Sequence, residues 1–473
     1  MGKKLLCIFV IVSILLSLSA CSGKPIPSVD SPSTPTSSVA IDPVKTSDPT
    51  DSTTPSIQEP PATKPVPAPE TEYVPVPETQ PATVPTAPST PTTPPEPIKP
   101  PPTPTYGHKT LAQTEFYQYS KLTAAEKQLY QKLLTAIQNL QNRVSVSELR
   151  IHSDDALVLI QKLLADNPHL FWVSRESSVI YDKRTQNAET ILLLYTDGEK
   201  SDTISNNKTT AVADRAKISA KRETLENKIA QILGTIPANL PEVERERLIH
   251  DYITANVRYD TVAAANPQPV GAMLPHAYDI YGAAIEGKAV CEGYAKLFQY
   301  LCYRTGIHAT QISGTAGGGG HMWNAVKLDG EWYALDATWD DPDTAIPYYA
   351  YFNLTDREMG QTHTANTEAM TYPQCTGTKY CYADYYALKL LSATQLSDHY
   401  TVVMDRLLLD GSGYLIFYKN GITLTGFDLN TLAYSSASQI QQYARSRGYR
   451  LELANSYTTY EKFVYIAYTA KKM

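Results

Sequence analysis

Gly287-Lys288-Ala289-Val290-Cys291-Glu292-Gly293-Tyr294-Ala295 decides the fold, because a helix begins inside it. From Cys291 onward, Tyr294, Leu297, Phe298, Leu301 and Cys302 recur at the spacing of one helix face, and Gly306 closes the run after Arg304. Cys291 therefore falls in the first turn. Unpaired N–H groups and the helix dipole there favour thiolate over thiol and offer donors to an oxyanion. The competing reading, a small inert core residue, suits Cys302 on the apolar face better.

Working outward, His321-Met322-Trp323-Asn324 and Asp336-Ala337-Thr338-Trp339 lie on either side of Asp329-Gly330, a strong hairpin signal. A two-residue loop sets Leu328 opposite Glu331 and, counting back, Trp323 opposite Asp336. His321 and Asp336 then share one face as diagonal neighbours, about 7–8 Å apart at the backbone. A three-residue loop would put them on opposite faces. Thiol, imidazole and carboxylate are the groups that nucleophilic acyl transfer requires. Trp323 shares the face of His321 and either walls a site or fills the core. Gly317 to Gly320 read equally as a loop that admits a substrate backbone or as slack between elements.

His250, His276, His308, His363 and His399 lack such a setting and are read as surface or satisfied structural residues. Asp340-Asp341-Pro342 is read as a solvated turn, and no metal site is expected. Upstream, Thr123 and Glu126 form a capping-box pattern before a helix to about Leu140, and a second helix runs from Ser153 to a stop before Pro168. Strands are expected at Ser178 to Asp182 and Thr190 to Thr196. Helices follow at Arg222 to Leu233 and Glu242 to Asn256, and a short one between Ala277 and Ile285. Downstream, Tyr348 to Leu354 reads as a strand. Beyond residue 390 come a hairpin of Tyr414 to Tyr418 with Ile422 to Phe427, a helix from Ser436 to Arg447, and strands near Tyr449 to Leu453 and Lys462 to Thr469.

The ends place the protein. Met1 to Lys4 carry two lysines, Leu5 to Leu18 are almost wholly apolar yet too short to span a bilayer, and Ser19-Ala20-Cys21 follow, the layout of a secretory signal. Residues 22–105 are mostly Pro, Thr, Ser, Ala and Val, and hold most of the 34 prolines of the 473-residue chain. Such a stretch buries too little apolar surface to fold and favours extended polyproline II, so it reads as a disordered stalk, with wall contact as a secondary reading. The net charge of −7 without a long basic run speaks against nucleic acid. Of six cysteines, Cys7 lies in the signal. Cys375 and Cys381, with five residues between them, fit a local disulfide as well as two unpaired thiols.

Two resemblances add to this reading. Leu18-Ser19-Ala20-Cys21 resembles the lipobox of bacterial lipoproteins, which implies lipid on Cys21 and a location on the extracytoplasmic face of the cell membrane. Gly287 to Ala295, Gly306-Ile307, His321 to Asn324, and Trp332-Tyr333-Ala334-Leu335-Asp336-Ala337-Thr338-Trp339-Asp340-Asp341-Pro342 resemble the transglutaminase-like superfamily, bacterial branch. The match is close over roughly residues 248–385 and looser over the helical lead-in. It implies a papain-like α+β fold with a helical N-terminal part and an antiparallel sheet. Cys291 would be the nucleophile, His321 the base and then the acid, and Asp336 the group that orients the imidazole. Tyr281 matches a position that is often aromatic, near the oxyanion or in the core. No cofactor is implied. The expected layout is a signal over 1–21, a stalk over 22–105, a transglutaminase-like domain over 106–390 and a small α+β appendage over 391–473. Two functions fit: an envelope-anchored acyl-transfer enzyme acting on peptide or protein amides, or a non-catalytic binding module that keeps the fold.

Overall fold

A computed structural model of the chain describes residues 107–198, 200–205, 208–266, 276–341, 348–385, 388–389, 407, 412–418, 426–460 and 462–472. The signal, Cys21 and the stalk lie outside the described residues.

The lead-in holds α1 (Ala124–Gln138) and α2 (Ser153–Asp166), then β1 (Val173–Tyr181) and β2 (Ala188–Tyr195). Thr123 and Glu126 cap α1 reciprocally, the Thr123 N–H donating to Glu126 Oε2 at 2.8 Å and the Glu126 N–H to Thr123 Oγ1 at 3.3 Å. Leu129, Tyr130, Leu133 and Ile137 are its buried stripe. β2 is central in an antiparallel sheet between β1 and the short strand Arg143–Ser145.

Two more helices, α3 (Arg215–Leu233) and α4 (Glu242–Asn256), precede α5 (Cys291–Arg304). Between them, residues 277–285 make two short turns, His276–Tyr278 and Gly282–Glu286, rather than one helix. Helix α5 is enclosed on nearly every side. Tyr294, Leu297, Phe298, Leu301 and Cys302 are each at most 1% exposed. Full burial of one Leu or Phe is worth about 2 kcal/mol, so this stripe alone fixes the helix in place.

After α5 come β3 (His308–Ala316), β4 (Gly319–Leu328), β5 (Glu331–Leu335) and β6 (His363–Ala365), an antiparallel sheet in the order β5-β4-β3-β6. The β4–β5 register has Leu328 opposite Glu331 and Asn324 opposite Leu335, the two-residue loop that the acyl-transfer reading requires. The glycine run is a second tight turn and the start of β4. Ala316 pairs with Gly319, and Gly317 and Gly318 both take positive φ, 60° and 87°, as a type I′ turn needs. Residues 348–354 are not a strand. They run as turns beside the end of β5, joined to it by an Ala334–Leu354 bridge, and Asn353 has φ 57°.

The C-terminal part contains β7 (Ser412–Tyr418), α6 (Gly426–Ser446), β8 (Leu451–Tyr460) and β9 (Phe463–Lys472), with β9 between β7 and β8. The expected strand Ile422 to Phe427 is overturned at its end, since α6 already begins at Gly426; residues 421–425 lie outside the described ones. This part has its own core of Leu415, Phe417, Ile440, Val464, Ile466 and Tyr468. Phe463 and Tyr465, by contrast, belong to the main core. The Tyr465 ring stacks on Tyr348 at 4.3 Å, and its hydroxyl accepts from the Tyr349 N–H at 3.2 Å.

Candidate active site

Cys291 is the first residue of α5 and 3% exposed. No side chain caps this helix start, and the Gly293 N–H turns back to the Val290 carbonyl at 2.9 Å. The preceding Val290 N–H donates to the Ala277 carbonyl at 2.8 Å, which presses the helix start against residues 276–279. Gly293 permits that approach: a Cβ there would lie 2.6 Å from Ala289 Cβ and 3.0 Å from the Asp279 carbonyl. Beside the cysteine, Glu292 is paired with Arg175 and, at 2.7 Å, with Lys296. Burial opposes its charge, but the two cations hold its carboxyl below the ordinary range.

Helix α5 packs across β3 and β4. One turn after Cys291, the Ala295 carbonyl accepts from Asn324 Nδ2 at 3.0 Å, which locks the helix to the strand that carries His321. His321 Nε2 lies 2.6 Å from Asp336 Oδ2. The diagonal relation counted from the hairpin is thus realised as a side-chain hydrogen bond. Asp336 Oδ1 accepts from the backbone N–H groups of Thr338 (2.9 Å) and Trp339 (3.2 Å). Its Oδ2 has a second partner, His363 Nε2, at 3.0 Å. Burial works against ionisation of Asp336, but the imidazoles of His321 and His363 outweigh it and hold the carboxyl far below the usual carboxylate range.

Aromatic rings close the site. Trp323 stacks on His321 with centroids 6.2 Å apart and meets His363 edge-on at 4.9 Å. Trp339 lies 5.8 Å from His321 and 4.7 Å from His363, and Tyr351 packs on Trp339 at 5.0 Å. Tyr281 packs on Phe171 and His276 at 5.1 and 4.7 Å with Lys221 over its ring at 5.2 Å. A recess of about 200 Å³ lined by Tyr117, Lys121, Lys327 and Trp332 sits at the other end of the sheet and contains none of these residues.

Several expectations need correction. For His363, read as a surface or satisfied structural residue, only the surface alternative falls: the side chain is buried and bonded to Asp336. No local motif marks it, since β6 pairs over only three residues and His363 follows Asp336 by 27 positions. Asp340 and Asp341 are not solvated. Asp340 is fully buried against His250, with His250 Nε2 at 3.2 Å from its Oδ2, and Asp341 Oδ2 accepts from Tyr294 Oη at 2.6 Å. Cys375 and Cys381 are free, buried thiols, with Cys375 Sγ turned to the Pro373 carbonyl at 4.0 Å instead of forming a bridge. Burial pushes the thiols of Cys302, Cys375 and Cys381 up, away from reactivity. His321, Asp336 and His363 bring three ligand-type atoms within 4.8 Å of one another. Both Nε2 atoms aim at one carboxylate oxygen at hydrogen-bonding distance, which is the geometry of a hydrogen-bonded cluster rather than of ligands around a common centre.

An α+β fold with a cysteine at a helix start packed on an antiparallel sheet that carries a histidine and an aspartate defines the cysteine-protease and transglutaminase-like class. Residues 230–337 match the family described as the transglutaminase-like superfamily. It is similar to kyphoscoliosis peptidase of Homo sapiens, 34% identical over 110 residues, 21% of this chain and 16% of that protein. The Mus musculus protein of the same name gives the same identity and coverage. The match thus spans about one sixth of the length of these relatives. A solved crystal structure of a TGase aligns with a TM-score of 0.23 and 19% identity over 27% of this chain and 34% of its own.

Proposed function

We propose that the protein is a cysteine acyl-transfer enzyme that attacks peptide or protein amides through a thioester. The observation that carries the proposal is the 2.6 Å bond from His321 Nε2 to Asp336 Oδ2, on a sheet against which the helix beginning at Cys291 packs. With Nε2 committed to Asp336, Nδ1 is the ring nitrogen assigned to the thiol. His321 would take the Cys291 proton at Nδ1, and the thiolate would add to the amide carbonyl carbon. The oxyanion would be met at the N-terminal end of α5, where the helix dipole favours negative charge. As the C–N bond breaks, the imidazolium returns the proton to the leaving amine, and a thioester on Cys291 remains. Water or a second amine then resolves it, giving hydrolysis or transamidation respectively.

Trp323 and Trp339 would wall the acyl site and exclude water from the imidazole. The lipobox-like Leu18 to Cys21 and the Pro-rich stretch over 22–105 support an envelope location, with the domain held off the membrane on a stalk. Among the described residues no helix is long and apolar enough to cross a membrane. The test is Cys291→Ala with a thiol-directed acyl probe followed by mass spectrometry. The wild-type protein should gain one acyl group on Cys291, and the variant none. Equal labelling of the variant, or a Cys291 that reacts like an ordinary thiol, overturns the reading in favour of a binding module.

A further inference from the structure

We infer that His363 is a positioning residue of this site: a second imidazole that donates to the oxygen of Asp336 that holds His321, and so keeps His321 aimed at Cys291. The inference rests on the acyl-transfer reading and concerns how that site is held. Asp336 has four donors, two on each oxygen: Thr338 N–H and Trp339 N–H on Oδ1, His321 and His363 Nε2 on Oδ2. The backbone pair fixes the plane of the carboxylate at one end. The other end could still swing with the His321 ring, and His363 prevents this by giving Oδ2 a second donor.

His363 is itself held firmly. Its side chain is fully buried, it sits on β6 opposite Ala316, and its Nδ1 lies 2.8 Å from Thr362 Oγ1. Because Nε2 must carry a proton to donate to Asp336, Nδ1 of the neutral ring accepts from the Thr362 hydroxyl, and this fixes the tautomer. Trp323, Trp339 and Tyr351 surround the ring at 4.9, 4.7 and 5.6 Å, and the His321 ring lies 5.3 Å away. The charged or titratable groups facing this cluster are His321 from β4, Asp336 at the end of β5 and Asp340 behind it, whose N–H donates to the Asp336 carbonyl at 3.2 Å.

A residue that acts through another is recognised by what it does to the proton affinity and aim of its partner. Without His363, Asp336 Oδ2 loses a donor and a lateral stop, and the His321 ring is free to tilt away from the sulfur. The thiolate of Cys291 then loses part of its imidazolium partner.

The experiment is the pH dependence of alkylation of Cys291 by iodoacetamide, followed by mass spectrometry, in the wild-type protein, His363→Leu, His363→Gln and Thr362→Val. Gln places a donor near the position of Nε2, whereas Leu fills the space without one. In His363→Leu the acid limb should move up by about one pH unit, an approximately tenfold fall in alkylation rate near pH 6. His363→Gln should recover most of that loss, and Thr362→Val should show a smaller shift in the same direction. Unchanged limbs in a folded His363→Leu protein overturn the inference. So does a Gln variant as impaired as the Leu variant, since space-filling and not the donor would then be what matters. The failure of the acyl-transfer reading looks different: wild-type Cys291 itself would alkylate along the profile of an ordinary thiol.

Discussion

Asp336 and Asp340, just past β5, each bond a histidine carried on another element, and the pairs His321–Asp336 and His250–Asp340 have opposite fates. His321–Asp336 lies on the sheet against which the helix beginning at Cys291 packs, whereas His250–Asp340 is sealed under residues 348–354, with Tyr349 and Phe352 against the His250 ring at 5.1 Å each. Both carboxylates are buried. Asp336 nevertheless falls far below its ordinary value, because two imidazoles outweigh the burial, while burial pushes Asp340 up to about 6 despite His250. The difference is the number of donors. Asp336 has two backbone and two imidazole donors, and Asp340 has one imidazole and the Tyr351 N–H at 2.9 Å. Four hydrogen bonds make a permanent anion, which the proposed proton shuttle at His321 would need. Two make a structural pair that ties α4 to the turn below the site.

Breaking each pair in turn is the strongest test of that contrast. Asp336→Asn keeps the shape but puts an amide where an acceptor is needed, so His321 loses the tautomer that exposes a basic Nδ1. Acylation of Cys291 should fall on the order of a thousandfold or more, with only a small change in melting temperature. Asp340→Ala should do the reverse. It leaves the buried, charged His250 with Asp251 alone, 3.4 Å from its Nδ1, a loss of about 3 kcal/mol, while the acylation rate per folded molecule stays within about fivefold of wild type. Denaturant melts beside probe kinetics separate the two. If both substitutions act mainly on stability, the distinction between the pairs is wrong.

How far the sequence could announce this differs along the chain. The cysteine pair of clues, apolar spacing after Cys291 and a glycine after Arg304, is local, and α5 runs from Cys291 to Arg304 as that spacing demands. The His321–Asp336 relation was also countable, because the Asp329-Gly330 turn fixes every later register position. His363 was not, since it reaches Asp336 across a four-stranded sheet from a three-residue edge strand. His250 left a trace that a stricter reading of periodicity would use. Val243, Glu246, Ile249, His250 and Ile253 form one buried face of α4, so the polar members of that stripe had to find partners. The turns over residues 348–354 deceived because aromatic residues suit strands and buried turns alike.

The same stripe gives a pH test. Burial pushes Glu246 up to about 8, which the Asn353 amide and His250 offset only in part. Burial also opposes the charge of His250, yet Asp251 and Asp340 push it up to about 9. A group whose folded value is raised stabilises fully below its unfolded value and loses that contribution as the pH climbs through the folded one. Glu246 therefore costs stability between about 4.5 and 8, Asp340 between about 4 and 6, and His250 between about 6.5 and 9. Asp336 has the opposite sign, and its contribution is lost only as the pH falls below its ordinary value of 3.8. The melting temperature should peak in mild acid and fall by several degrees, roughly 2 °C for each kcal/mol, toward pH 9. Glu246→Gln, which keeps a hydrogen-bonding group beside Asn353, should flatten the slope between pH 5 and 8. An unchanged slope would mean that Glu246 is not the titrating group.

The smallest effect concerns how each histidine is carried. His250 rides on a helix, but His321 rides on β4, three residues past the Gly317-Gly318 turn. Gly318 has φ 87°, and a Cβ there would meet nothing within 4 Å, so Gly318→Ala adds backbone strain without a clash. It should cost about 1 kcal/mol. That strain would be felt first where Thr315 pairs with Gly320 and Gly314 with His321. Amide exchange should therefore quicken at that end of β3 and β4 and stay unchanged in α4 around His250, and alkylation of Cys291 should slow by a few-fold at most. Faster exchange throughout α4 as well would show that the two pairs share one cooperative unit, and that the turn serves the whole core rather than the placement of His321.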